Sequence, residues 1–267
     1  MTSASAEIAR RFDPDLHRAA MFTPEPMRSR LMVLIAFDVE CARALRASDE
    51  IIAQMRLQWW QDRVQEALSG RSAEHEVAGP LSELIQAARG LDWDAGSYFF
   101  GWTRMLEGPF TAEAFDHWLS DRYAAWLSLT AQCCGVGGAE CDKTALRAMG
   151  RAMSLAFALR QAGAMALEGN FLLPLAGLDR AALTRGEVTA SAQNVIAGQV
   201  GAVNETLVEA RRLKVSAGLK PILRLGWRID ATLRAASGPS IDLPGLTEAG
   251  GRSGTRILLI RSALGQW

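Results

Sequence analysis

The chain has 267 residues, 49% of them hydrophobic and 22% charged, a balance that builds a folded protein with a substantial core. Lys+Arg and Asp+Glu are each 29, so the net charge gives no ground for a nucleic-acid partner. No apolar run approaches the roughly 20 residues that cross a bilayer.

The opening, MTSASAEIARRF, lacks the apolar core of a secretory signal. The expectation is a cytoplasmic protein, with any membrane contact peripheral at the inner face. Pro24 and Pro26 then precede MRSRLMVLIAFDVECARAL, whose apolar positions recur every three or four residues and predict a helix over 27–46. Ser48 stands as an N-cap for the next helix, 51–68, which Ser69-Gly70 closes. Pro80 opens LSELIQAAR, ending at Gly90. Further helices are predicted over 94–106, 111–133, 142–167, 190–216 and 220–236. Residues 237–254, SGPSIDLPGLTEAGGRSG, are rich in Gly, Pro and Ser and read as a flexible link. The expected organisation is a helical domain over 1–236, the link over 237–254 and a short helix over 255–267. Strand-like alternation is nearly absent, so the fold class is all-α.

Few residues announce chemistry. Cys41, Cys133, Cys134 and Cys141 form no CxxC, and they read as buried thiols in a reducing compartment. His17, His75 and His117 are scattered without metal-ligand spacing. Two carboxylate pairs stand four residues apart, Asp62/Glu66 and Glu205/Glu209, but each is followed by or mixed with arginine and reads as a solvated face. GVGGAE at 135–140 lacks the Lys-Ser/Thr of a phosphate loop and reads as a helix–helix turn. Trp59 and Trp60 point about 100° apart on a helix, so one is expected in the core and the other towards a cavity or interface.

Four stretches, in order, resemble the squalene/phytoene synthase family. DPDLHRAAMFTPEPMRSRLMVLIAFDVE (13–40) is similar to its opening segment, with a D-x-D-x-x-x-A-x-x-F lead-in. MRLQWWQDRVQEAL (55–68) resembles its R-L-x-W-W-x-[DE] helix, and HEVAGPLSELI (75–85) the next helix start. LRQAGAMALEGNFLLP (159–174) resembles its late helix and exit, and beyond 175 the similarity is weak. The resemblance implies an isoprenoid-synthase-like helical bundle around a central cavity. Active members join two isoprenyl diphosphates head to head, using magnesium held by two DxxxD-type motifs, whose carboxylates at i and i+4 share one helix face.

This chain departs from that pattern at both places. The first motif's positions carry Ala42, Arg43, Ala44, Leu45 and Arg46; the second's carry Gln161, Ala162, Gly163, Ala164 and Met165. The expectation is therefore a pseudoenzyme with no catalytic residue, cofactor or metal. Gln161 and Met165 are expected to face the cavity opposite Ala42 and Arg46, and the candidate ligand contacts are Arg43, Arg46, Trp59, Trp60, Arg160, Gln161 and Met165. Arginine grips anionic groups without metal, so an isoprenoid or lipid with an anionic head is one candidate ligand; Glu40 at i+3 is an internal partner for Arg43. Through AFDVE, RLQWW and the lost acids the chain also resembles the family's non-catalytic relatives that assemble respiratory complex I, which implies a respiratory-complex subunit as partner. Two alternatives stand beside this reading: an active squalene/phytoene-type synthase with atypical magnesium ligands, and a metal-independent isoprenoid- or lipid-binding protein.

Overall fold

Fourteen α-helices succeed one another in the computed structural model, which describes residues 3–47, 49–88, 90–107, 110–167, 171–174, 179–238 and 241–267. They are α1 (Ala4–Phe12), α2 (Pro14–Ala20), α3 (Met27–Ala44), α4 (Glu50–Leu68), α5 (Ala78–Ala87), α6 (Ala95–Thr103) and α7 (Ala112–Cys133). There follow α8 (Glu140–Leu167), α9 (Arg180–Thr184), α10 (Ala190–Arg211), α11 (Lys220–Leu223), α12 (Ile229–Ala236), α13 (Leu243–Glu248) and α14 (Gly251–Ala263). Helices account for 73% of the chain, and the described residues contain no strand, so the all-α expectation holds.

The centre is built from α3, α7 and α8. Leu31, Leu34, Ile35, Phe37 and Cys41 bury several sides of α3, which is why its apolar pattern runs almost unbroken. α7 and α8 lie against each other along much of their length. Their closest approach is permitted by Gly150: a Cβ there would stand 2.5 Å from Cα of Ala124. Two buried indoles are satisfied by backbone carbonyls, Trp118 donating to Gly101 at 2.8 Å and Trp126 to Leu34 at 3.1 Å.

Where local signals differ from the sequence reading, the causes are specific. Ser48 lies outside the described residues, and the observed cap of α4 is Asp49, whose carboxylate accepts the N–H groups of Ile51 at 2.8 Å and Ile52 at 3.2 Å. The predicted helix 220–236 is broken by a 3-10 turn at Arg224–Gly226. There Gly226 packs on α8 so closely that a Cβ would come within 2.6 Å of Ile229 Cδ1 as well as against the Met149 sulfur.

The segment 237–254 was expected as a flexible link, yet its described part holds α13 and the start of α14. Leu243 and Leu246 are buried and α13 lies on α8. Arg228 donates to the carbonyls of Thr247 at 2.6 Å and Ala249 at 2.8 Å, and Thr247 donates to the Arg160 carbonyl at 3.1 Å. Composition exposes the Gly and Pro of such a stretch, but burial of two leucines and side-chain satisfaction of its carbonyls order it. The last helix accordingly begins at Gly251 rather than Thr255.

Candidate functional site

A cavity of about 900 Å³ opens between α2, α3, α8, the 224–229 turn and α13–α14. Its inner wall is apolar and aromatic: Val39, Trp102, Tyr123, Met153, Phe157 and Leu225. Its outer part is cationic, lined by Arg18, Arg43, Arg46, Arg160, Arg228 and Arg256. The acids in the lining are Asp13, Asp15, Asp38 and Glu248.

Most of those acids already have work. Asp38 of α3 is buried and accepts the Arg122 guanidinium through both oxygens, at 2.9 and 3.1 Å, and the Tyr98 hydroxyl at 3.0 Å. Burial opposes the charge on Arg122, but the carboxylate of Asp38 and the two neighbouring tyrosines outweigh it and hold the guanidinium above its ordinary range. Asp15 pairs with Arg160 at 3.0 Å and with Arg228. Asp13 caps α2 by accepting the Leu16 N–H at 2.9 Å. Burial raises the Asp13 carboxyl to about 6; the Leu16 N–H opposes that rise, and the charges of Asp15 and Asp38 add to it.

The sequence-derived candidates divide three ways. Ala42 and Arg43 from α3, Arg46 from the turn just beyond it (the helix expected over 27–46 ends at Ala44), and Arg160 and Gln161 from α8 do meet across the cavity. Arg43 is at the same time tied to Glu40, as the i+3 spacing suggested, and lies over the Phe12 ring at 4.5 Å. Met165 is not part of the lining: it is half-buried against the hydrophobic core. It shares a face with Gln161 but lies about 6 Å further along the axis, beyond the cavity's end.

Trp59 and Trp60 are likewise outside the main cavity. With Arg43, Arg56 and His75 they line a shallower hollow of about 410 Å³ that adjoins it through Arg43. Trp60 is 4% exposed and Trp59 38%, the division their 100° offset requires. Both rings pack on the His75 imidazole, at 5.2 and 5.4 Å. His75 Nδ1 accepts the N–H groups of Val77 and Ala78, so this histidine starts α5 and links the RLQWW and HEVAGPL stretches.

Sequence reasoning missed Asp13, Asp15, Arg18, Arg228 and Arg256 as cavity residues. Asp13 and Asp15 stood in a recognised lead-in, where the spacing marked them without assigning a role. Arg228 and Arg256 lie beyond residue 175, with no motif to mark them. The described residues contain no group of three or more His, Cys, Asp or Glu placed to hold a metal ion. No described helix is long and apolar enough to cross a membrane.

Comparison with known proteins places this architecture. A dehydrosqualene synthase crystal structure in complex with ligand superimposes with a TM-score of 0.78 at 12% identity, covering 97% of this chain and 94% of that one. The squalene synthase HpnC from Alicyclobacillus acidocaldarius gives a TM-score of 0.63 at 15% identity, covering 98% and 92%. At these identities the likeness is one of fold. No curated protein matches. The family model described as squalene/phytoene synthase matches residues 9–238, most of the chain. By that match the chain belongs to the squalene/phytoene synthase family.

Proposed function

We propose that this protein is a non-catalytic member of its family that binds an amphiphile with an anionic head, isoprenoid or lipid, in the arginine-lined cavity. The observation that carries the reading is the composition of the two facing helices. At the places where family resemblance puts the DxxxD-type carboxylates, the cavity wall presents Ala42, Arg46 and Gln161. Magnesium takes hard oxygen ligands and keeps carboxylates close, and these residues do not fit it. Three of the four carboxylates in the lining are held elsewhere, Asp38 by Arg122, Asp15 by Arg160 and Arg228, and Asp13 by the α2 N-terminus, which leaves Glu248 as a single acid. Arginine forks hold phosphate or carboxylate bidentately without a metal, and the apolar inner wall suits a hydrocarbon tail.

A binding role in assembling a respiratory complex is the physiological setting we infer. It rests on the AFDVE and RLQWW resemblance to assembly-factor relatives. The test is to offer farnesyl and geranylgeranyl diphosphate with magnesium and follow pyrophosphate release, with binding measured in parallel by calorimetry. The expected outcome is no turnover, and binding that a chelator leaves unchanged. Pyrophosphate release, or binding that requires magnesium, overturns the reading in favour of a synthase with atypical ligands.

A further inference from the structure

The last helix, α14, forms one wall of the cavity yet is weakly fastened to the body. Among its described side chains only Leu258 is fully buried, while Leu259, Ile260 and Leu264 are each more than half exposed. It crosses the Trp227 ring at Gly254, where a Cβ would stand 2.7 Å from the indole. Its polar ties are few. Arg18 donates to the Thr255 hydroxyl at 3.3 Å, Arg224 to the Ser262 carbonyl at 3.5 Å, and Arg261 pairs with Asp230 at 2.8 Å. Asp230 also holds Arg211 at 2.9 Å, so its charge stays compensated when Arg261 leaves.

The chain just before α14 is held differently. Arg228 fixes the carbonyls of Thr247 and Ala249, and Leu243 and Leu246 of α13 are buried. Gly250 comes next, with φ +78°, a left-handed conformation that suits glycine, and Gly251 follows it. Firm anchoring thus ends at Ala249, and a pair of glycines leads into the loosely packed helix.

From this arrangement we propose that α14 is a lid, lifting from the body about Gly250–Gly251 to admit the amphiphile and drawn shut when Arg256 meets the anionic head. This rests on the binding reading above and adds the route by which the ligand enters. Gly251, Thr255 and Leu259 stand four residues apart, so they share one face, and with Arg256 they line the cavity. The Arg256 guanidinium is exposed and has no hydrogen-bond or ion-pair partner among the described residues. A bound head supplies that partner and a bound tail covers Leu259, so the ligand favours the closed helix over the open one. Opening releases one buried leucine and a few polar ties and leaves the core intact, which places it at the low end of local opening free energies.

The experiment follows amide hydrogen exchange of the full chain, with farnesyl phosphate as the probe ligand and calorimetry reading its binding. In the free chain the α14 amides from Gly254 onward are expected to exchange together, at least tenfold faster than those of α13. Farnesyl phosphate at ten times its Kd is expected to slow them about tenfold. Arg261→Ala removes the tie to Asp230 and is expected to speed α14 exchange about threefold. By stopped-flow tryptophan fluorescence, the same variant is expected to raise the entry and exit rates by that factor and leave Kd unchanged. A circular-dichroism melt confirms that it folds. Exchange graded inward from Trp267, with Gly254 as slow as α13, is fraying of a chain end and overturns the lid. Binding that leaves α14 exchange unchanged, or entry and exit rates indifferent to Arg261→Ala, overturns it as well. Absence of binding by calorimetry overturns the cavity reading itself, and is thereby distinct from a bound ligand that leaves α14 untouched.

Discussion

Asp15 of α2 and Arg160 of α8 meet at 3.0 Å across the cavity entrance, 145 residues apart in sequence. The same carboxylate holds Arg228, whose other contacts fasten the chain just before α14. One acid thus occupies two cations that would otherwise face a ligand, and joins the first helices to the last.

Asp15→Asn is therefore expected to have two opposed effects. Stability falls by about 1–3 kcal/mol, because two half-buried guanidinium groups lose their charged acceptor. Affinity for anionic amphiphiles rises, because Arg160 and Arg228 turn to the ligand. Urea unfolding reads the first and calorimetry the second. A variant that binds more weakly while remaining folded would show that the pair orders the site instead of competing with the ligand.

Asp13 gives the cavity a pH dependence. Its carboxyl titrates at about 6 in the folded chain against 3.8 ordinarily. Between those values the folded state holds the proton and the unfolded state does not, so this group's contribution to stability falls as the pH rises through the window. Below about 6 the cavity also loses one negative charge. An amphiphile with a permanently ionised sulfonate head is expected to bind more tightly at acid pH, by about 1 kcal/mol or roughly fivefold. Asp13→Asn keeps an N-cap acceptor and is expected to flatten both profiles near their acid-side values. Identical slopes in wild type and variant would assign the pH dependence to another group.

The buried pair Asp38–Arg122 is expected to govern stability. Arg122 is fully buried, and it lies 3.7 Å from the Trp102 ring centre and 4.4 Å from that of Tyr123. Asp38→Ala strands that cation and is expected to cost about 3–5 kcal/mol. Replacing both partners by leucine is expected to recover much of the loss, since paired removal leaves no uncompensated charge. Denaturant midpoints of the single and double variants decide it, and a double variant as unstable as Asp38→Ala contradicts the argument.

How far the sequence carried follows from which signals are local. The periodicity from Met27 to Ala44 and from Glu50 to Leu68 is a property of each segment, so those helices were found to within a few residues. The cap of α4 was misplaced by one residue because serine and aspartate are both good caps and stand side by side. The segment 237–254 looked flexible because its order comes from Arg228, Arg160 and the α8 surface, contacts that no window of neighbours contains. The cavity divides in the same way. Ala42, Arg46 and Gln161 were placed by motif position, whereas Arg18, Arg228 and Arg256 come together only through tertiary packing.

Met165 makes the sharpest case for testing the lost acidic motifs directly. Position 42 on α3, position 46 in the turn that follows it and position 161 on α8 line the cavity, while position 165 sits half-buried against the core. Restoring acids therefore should not be symmetric. Ala42→Asp, Arg46→Asp and Gln161→Asp together place three carboxylates around one space and remove an opposing cation, and this triple variant is expected to gain magnesium affinity measurable by calorimetry. Adding Met165→Asp is expected to contribute little further affinity. Its carboxylate would be pressed against apolar neighbours, at a cost to stability of about 1–3 kcal/mol. Turnover is not expected from either variant, because Asp15 still holds Arg160 and Arg228 in place and a reaction needs substrate geometry as well as a metal. If instead the fourth acid sharply tightens magnesium binding, α8 presents residue 165 to the cavity in solution, and the two helices face each other over a longer stretch than this packing allows.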